Sequence, residues 1–287
     1  SAAHRIPDIL DVWFDSGNAV WASLTPEERA KFPKADFIVE GKDQTRGWFY
    51  SLLGSGVVLN NEIPYKTLLM HGFFVDEKGE KMSKSVGNFV PLEEVTGKYG
   101  ADAFRLWALS NTVWDDLRFN WNEVKEAHRS LGTIYNLGVF LSRFHSSAHK
   151  PILPEDAALS IEDRWLLSRL SATCEACETA FETHKPHVAA KAVREFLVED
   201  VSRFYMKIAK SRIDSDVHFA RQNASDIGSK ADAEGAASSA MAVLYRAIFD
   251  GLCLLTPIAP FISESIYQSF FKKYEHRESI SLFAWPT

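Results

Sequence analysis

Apolar and polar positions in this chain follow one rhythm over roughly the first 120 residues and another beyond them. Asp36-Phe37-Ile38-Val39 is a short apolar run that stops at Gly41, a pattern suited to a buried parallel strand. Residues about 44–59 then take helical spacing. A second apolar run covers Lys66–Phe74, in which Thr67, Leu68, Leu69 and Met70 lead into His71-Gly72. Strand, helix, strand is the βαβ signature of an open parallel sheet, whose ligands bind beyond the carboxyl ends of its strands. The reading is therefore α/β, with Glu40–Gln44 and the stretch from His71 to Lys84 expected at strand ends.

After Pro91 the spacing is helical. Pro91 can stand in the first turn of a helix through Glu93 and Glu94, and Gly100 parts it from another over about 101–110. From about 122 to 146, Ala127, Leu131, Ile134, Leu137, Leu141 and Phe144 recur at steps of three and four. Pro151 and Pro154 mark a linker. Helices are expected at about 161–183, 186–213, 234–255 and 260–274, forming an antiparallel all-α bundle. Asp214 to Gly235, rich in Ser, Asp, Ala and Gly, reads as a long mobile loop. No internal repeat interrupts this order.

Composition adds limits. With 287 residues, 46% hydrophobic and 13% aromatic, the chain can fill cores for two domains. No apolar run reaches the length of a membrane span and no signal peptide opens the chain, so a cytoplasmic location without membrane contact is expected. A net charge of −6 means that any nucleic-acid contact must come from a local basic patch. Three cysteines argue against a disulfide framework and for a reducing compartment.

The densest chemistry lies in Lys81-Met82-Ser83-Lys84-Ser85, followed by Val86-Gly87-Asn88. Lysines bring mobile positive charge, serine hydroxyls and loop amides add hydrogen bonds, and such a loop can fold around a triphosphate and stabilise departing pyrophosphate. A solvated basic turn is the plainer alternative. A chance match to this pentapeptide is roughly one in ten thousand on equal residue usage, and the flanking sequence favours the phosphate reading. Gly79 and Gly87 bracket the loop and permit closure. Mg²⁺ is expected with the triphosphate, held largely by substrate oxygens because no carboxylate cage stands out.

The flanks carry a resemblance. Asp11-Val12-Trp13-Phe14-Asp15-Ser16-Gly17, Glu40-Gly41-Lys42-Asp43-Gln44-Thr45-Arg46-Gly47-Trp48-Phe49, His71-Gly72-Phe73, the Lys81–Ser85 loop and Tyr99-Gly100-Ala101-Asp102-Ala103-Phe104-Arg105 together resemble class I aminoacyl-tRNA synthetases of the Ile/Val/Leu subgroup. Asp43-Gln44 with Arg46-Gly47-Trp48 is most similar to the isoleucine branch. The likeness continues weakly to Trp285-Pro286. None of the nine histidines sits in an HIGH-type motif, the chain opens on Ser1, and no stretch resembles the editing insertion. The expectation is a C-terminal portion of a longer enzyme, inactive alone. The resemblance implies the second half of a Rossmann-like parallel-sheet catalytic domain over residues 1–120, then a helical anticodon-binding domain over 121–287.

It also implies ATP-dependent activation of the amino acid and transfer to its tRNA, with isoleucine and tRNA(Ile) as partners and no obligate protein partner. A valine or leucine relative, or a non-catalytic tRNA-binding module, are the alternatives. By the family's motifs, Lys84 makes the main ATP contact with Lys81 assisting, Met82, Ser83 and Ser85 complete the ATP loop, and Glu40, Gly41, Asp43 and Gln44 contact the adenylate. Gln44 and Trp48 can shape a pocket for a branched apolar side chain; the alternative is that Asp43 caps a helix and Trp48 is core. His71 and Gly72 are candidates for the adenosine side, and Trp13, Phe14 and Asp15 for the pocket wall.

Cys174 and Cys177 have metal-ligand spacing, but Leu166, Leu170, Cys174, Cys177 and Phe181 form one helical stripe, so core packing is expected and no metal. His145 and His149 lack further partners. Along 186–213, Val188, Ala192, Phe196 and Phe204 with Val193, Leu197, Val201 and Ile208 are read as a wide apolar stripe. Arg203, Lys207 and Lys210 line the outer face, either simply solvated or, as the resemblance implies, meeting tRNA.

Overall fold

The computed structural model describes residues 4–9, 11–144, 150–151, 159–223 and 239–287. They fall into two compact units, Ser1–Lys81 with Val113–Arg118, and Met82–Thr112 with Phe119–Thr287.

In the first unit, α1 (Val12–Gly17) starts where the Asp11 side chain accepts from the Trp13 N–H, and α2 (Ala19–Ala22) follows. A Thr25/Glu28 capping box and Pro26 begin α3 (Pro26–Lys31). Strand β1 (Ala35–Gly41), a 3₁₀ turn over Lys42–Arg46, α4 (Trp48–Asn60) and β2 (Tyr65–His71) complete the anticipated βαβ unit. The strands pair in parallel from Ala35 opposite Tyr65 to Gly41 opposite His71. Trp21, Ile38, Phe49 and Leu52 form the core, with Trp48, Tyr65 and Leu68 packed against it.

Two expectations change here. The helix read from residue 44 begins only at Trp48, because the chain first closes a 3₁₀ turn and breaks at Gly47. Strand β1 is covered on one side only: Ile38 is buried while Phe37 and Val39 are exposed. Alternate residues of a strand face opposite ways, and the described residues cover only the Ile38 face. Beyond β2, β3 (Phe74–Val75) pairs in parallel with β4 (Leu117–Arg118).

The second unit is helical. Gly100, at φ 84°, ends α5 (Leu92–Tyr99) and admits α6 (Ala101–Leu109). Then come α7 (Trp121–Phe144), α8 (Ile161–Glu182), α9 (Pro186–Glu195), a π-helix over Phe196–Tyr205 and α10 (Met206–Asn223). After them come α11 (Ser239–Leu255), α12 (Pro260–Ile266), a second π-helix over Tyr267–Phe271 and α13 (Lys272–Glu275). In α7, Ala127, Leu131, Ile134, Leu137 and Leu141 are buried, as their spacing predicted. Helix α6 is tied to the turn between α11 and α12 and to the first turn of α12: Arg105 donates to the carbonyls of Pro257 and Ile258, and the Asp102 carboxylate accepts from the Ile262 N–H.

The stretch 186–213 departs from its expected face. Ala189, Val193, Leu197, Val201, Tyr205, Ala209 and Ile213 are buried, whereas Val188, Phe204 and Ile208 of the anticipated stripe are exposed. From Ala189 on these buried positions recur every fourth residue, and in an α-helix four residues overshoot a full turn by about 40° per step. The wider π turns absorb the overshoot and keep one face inward. The loop expected from Asp214 is also corrected, since α10 runs on to Asn223; Arg212 and Ile213 are fixed by tertiary contacts that carry the helix past the polar sequence. The rest of that stretch, with His145, His149 and Pro154, lies outside the described residues.

Asp163 joins four elements of this unit. At the start of α8 it shares a capping box with Ser160. Tyr205 Oη donates to its Oδ1 at 2.6 Å, and Arg212 donates to both oxygens at 3.0 and 2.6 Å. The Tyr205 hydroxyl also reaches the Ala240 carbonyl at 3.3 Å. Burial alone would raise the Asp163 carboxyl, but the hydrogen bonds from Arg212, Tyr205 and Ser160 outweigh it and hold the group at about 2.

A carboxyl depressed below its ordinary value of 3.8 stabilises the fold at pH values above that, and the benefit is lost as pH falls toward about 2. Asp163→Asn, which leaves the Arg212 charge without its partner, is expected to lower unfolding free energy by about 3–5 kcal/mol at neutral pH. Urea unfolding at pH 7 and again between pH 4 and 2 should show the gap closing as acid is added. Equal midpoints at pH 7 would remove the network from its structural role.

Candidate functional site

The carboxyl ends of β1 and β2 bring one set of candidate residues together. Gly41 stands opposite His71, and a Cβ added to Gly41 would lie 2.5 Å from Asp43 Oδ1 and 3.6 Å from His71 Cε1. Gly41 thus lets the Asp43 carboxylate and the imidazole approach the same backbone. Asp43 Oδ2 accepts from Gln44 Nε2 at 3.2 Å, and Gln44 Oε1 accepts from the Trp48 N–H at 2.9 Å. Gln44, not Asp43, therefore serves the first N–H of α4. The Trp48 indole donates to the Ser16 carbonyl at 2.8 Å, which fixes a half-buried ring between the core and α1. Glu40 and Asp43 are exposed, and Trp13 and Phe14 are exposed on α1.

His71 Nδ1 lies 2.7 Å from the Gly72 carbonyl, which can only accept, so Nδ1 is the donor in this contact and Nε2 is left for other partners. Gly72 is locked in place: its N–H donates to the Val113 carbonyl at 2.9 Å, and a Cβ there would stand 2.1 Å from the Asp115 carbonyl oxygen.

The return segment Val113–Arg118 thus lines these strand ends, which the sequence reading did not anticipate. Asp116 Oδ1 accepts from Lys42 Nζ at 2.7 Å and from the Phe73 N–H at 2.8 Å. The hydrogen bond from Lys42, with that from Phe73, holds its carboxyl below the usual range. Lys42 and Asp116 are 74 positions apart, so no local signal links them.

Before the lysine loop, Asp76 builds a turn. Its Oδ1 accepts from the N–H groups of Lys78 and Glu80, its carbonyl accepts from Gly79, and Gly79 takes φ 86°. Lys81 then bridges antiparallel to Val75. The boundary between the compact units falls after Lys81. On the far side, the Ser83 N–H donates to Asn88 Oδ1 at 2.8 Å and the Ser83 and Ser85 hydroxyls lie 2.8 Å apart. Gly87, at φ 77°, turns the chain so that its N–H reaches the Ser83 carbonyl. Lys84 is exposed, with Nζ 5.5 Å from the Phe89 ring centroid, and Met82 is half-buried. Asn88 is the organiser the sequence reading passed over; its place just after a glycine was the available signal.

In the helical unit Arg203, Lys207 and Lys210 are all exposed, and Arg203 pairs with Glu199 at 2.7 Å. Phe204 and Ile208 emerge on this side because of the π-helix, Phe204 packing edge-on against Trp165 at 4.7 Å. Cys174 and Cys177 are buried in the core, which pushes their thiols up to about 11 and about 12.

Residues 1–120 match the family model of class I tRNA synthetases (I, L, M and V), and residues 163–287 that of the anticodon-binding domain of tRNA ligases. An isoleucine–tRNA ligase of Archaeoglobus fulgidus is 41% identical over 288 residues, which is 99% of this chain and 27% of that protein. One from Methanopyrus kandleri is 39% identical over 311 residues, 100% of this chain and 27% of its own length. The chain therefore spans 27% of the length of these curated relatives. A crystal structure of a LeuRS–tRNA–LeuAMS ternary complex from Agrobacterium radiobacter K84 is similar with a TM-score of 0.71 at 20% identity, covering 99% of this chain and 34% of that one. That likeness shows a shared fold.

Since backbone, not a movable side chain, stands 2.1 Å from a Cβ at residue 72, Gly72→Ala forces the return segment away from β2. The expected loss is about 1–3 kcal/mol, typical of overpacking. Chemical unfolding of the variant checks it, and unaltered stability would show that the segment yields freely.

Proposed function

The chain belongs to the class I aminoacyl-tRNA synthetases, and from that premise we propose that it is part of an isoleucine–tRNA ligase that forms Ile-AMP from isoleucine and ATP and passes isoleucine to tRNA(Ile). The observation that carries this reading is the gathering of Gly41, Asp43, Gln44 and His71 at the carboxyl ends of two parallel strands, where open α/β sheets bind ligands. The valine and leucine alternatives are less well supported, because the two curated relatives named above, at 41% and 39% identity, are isoleucine–tRNA ligases, whereas the LeuRS structure shares only 20%. In this reading residues 1–120 serve activation, residues 121–287 serve tRNA, and the enzyme works in the cytoplasm.

Activation brings two anions together, the carboxylate of isoleucine and the α-phosphate of ATP, and is driven by positioning and by neutralising the charge that grows on pyrophosphate. Lys84 and Lys81 supply that charge, with the Ser83 and Ser85 hydroxyls and the loop amides around Met82 as further donors. Mg²⁺ would be held mainly by triphosphate oxygens and would screen them. Glu40 and Asp43 can accept from the ammonium or ribose, Gln44 and Trp48 bound the side-chain pocket, and Gly41 with His71-Gly72 forms the adenosine side.

Pyrophosphate exchange by the full-length enzyme, compared with isoleucine, valine and leucine, tests the assignment; preference for valine or leucine would reassign the branch. In that enzyme Lys84→Ala should slow adenylate formation on the order of 10²–10³-fold with little change in isoleucine binding, as when one transition-state donor is removed. A raised KM for isoleucine at unchanged rate would place the lysine elsewhere.

Arg203, Lys207 and Lys210 are proposed to meet tRNA phosphates. Replacing all three by Glu should weaken tRNA binding and flatten its salt dependence by roughly one unit of slope per lost contact, while activation stays nearly unchanged. Filter binding across salt concentrations reads both quantities. Identical affinity and slope in the variant would return these residues to a solvated face.

A further inference from the structure

Asp116 lies outside every stretch on which the proposed site rests, yet its carboxylate meets both loops that form it. One oxygen, Oδ1, accepts from Lys42 Nζ at 2.7 Å and from the Phe73 N–H at 2.8 Å. Lys42 follows the last residue of β1, and Phe73 stands two residues beyond the end of β2. Lys42 Nζ also sits 5.2 Å from the Phe73 ring centroid, so cation, ring, amide and carboxylate form one closed group. The segment that presents Asp116 is fixed from both sides, through Gly72 N–H to Val113 and through Leu117 N–H to the Phe73 carbonyl. Parallel pairing of Val75 with Arg118 continues the attachment.

We propose that Asp116 is a positioning residue for the adenylate site, clamping the loop after β1 to the loop after β2 and keeping Lys42 away from the substrate carboxylates. The first effect is geometric. Asp43 and Gln44 on one loop hold a fixed separation from Gly72 on the other only if something crosses between the loops past the last strand pair, Gly41 with His71. The second is electrostatic. Lys42 sits in the same turn as Asp43 and two positions from Glu40, and both carboxylates are exposed. Without the Asp116 charge, those two are the carboxylates nearest to Lys42 along the chain and can draw its ammonium, in competition with the substrate's own amino group.

This inference rests on the proposed adenylation, and the experiment separates the two. In the full-length enzyme, Asp116→Asn keeps an oxygen acceptor for Phe73 but removes the charge facing Lys42, whereas Asp116→Ala removes both. Pyrophosphate exchange and amide hydrogen exchange are measured for each, for Lys42→Met and for Lys42→Met with Asp116→Asn. The expected loss in kcat/KM for Asp116→Ala is on the order of 10- to 100-fold, as for misplaced substrate groups, carried mainly by KM for isoleucine. Exchange of the Phe73 amide should accelerate in Asp116→Ala and stay slow in Asp116→Asn. The loss in Asp116→Asn should be largely recovered in the double variant, a rescue that general destabilisation does not give. Wild-type kinetics in Asp116→Ala, or an Asp116→Asn loss indifferent to Lys42, overturns the proposal. If the unmodified enzyme fails to exchange pyrophosphate with isoleucine, the adenylation reading falls. The clamp then stands or falls on whether Asp116→Ala exposes the Phe73 amide.

Discussion

The parallel pairing of β1 with β2, in the register that sets Gly41 opposite His71, is the constraint on which the candidate site depends. A slip by one residue would turn Ile38 away from Phe49 and Leu52 and bring Phe37 or Val39 into the core. It would also carry Gly41 away from His71 and part the Asp43 carboxylate from the imidazole. The same burial of Ile38 that holds the sheet thus fixes where the polar groups at the strand ends emerge.

The helical unit answers a different constraint, the need to bury a charged group without leaving it unpaired. Asp163 is fully buried and accepts from Arg212, Tyr205 and the Ser160 backbone, so its oxygens are well satisfied. The π-helix answers a separate need. It keeps Val193, Leu197, Val201 and Tyr205 inside at a four-residue spacing that ordinary α-helical turns would rotate out of phase, whereas Tyr205 and Arg212, seven residues apart, reach the same carboxylate across the ordinary α-helical turns of α10. Exposure of Phe204 beside Arg203 and Lys207 follows from the same adjustment.

Much of this was legible in the sequence because local signals agree with the final structure. The apolar runs before Gly41 and His71 read as parallel strands, Pro91 and Gly100 punctuate helices where expected, and the steps of Ala127, Leu131, Ile134 and Leu137 name the buried face of α7. What stayed hidden depends on partners distant in sequence. Lys42 and Asp116 meet across 74 residues, and Asp163 and Arg212 across 49. Helical periodicity assumes a constant turn, so the face of residues 196–205 was misjudged at Phe204. The apolar run of strand β1 suits a buried parallel strand, but such a run does not say how many layers cover it.

The candidate groups also divide by burial. Glu40, Asp43, Lys81 and Lys84, which would act on a ligand, are exposed, whereas the groups that shape their backbone are partly or wholly covered and hydrogen-bonded: Gly41, Gln44, Asp76 and Asn88. Charge exposed to water is cheap to maintain but weak, since solvent screens it. A ligand that excludes water strengthens every such interaction in proportion to the fall in local dielectric, provided the donors and acceptors need little rearrangement. Fixed turns at Asp76–Glu80 and Lys42–Arg46 meet that condition for the backbone, while in the proposed adenylation the exposed Lys84 and Glu40 side chains would follow charge as it shifts from triphosphate to pyrophosphate. In that proposal a fixed backbone in the covered residues and charge presented by the exposed ones are complementary requirements of the same chemistry.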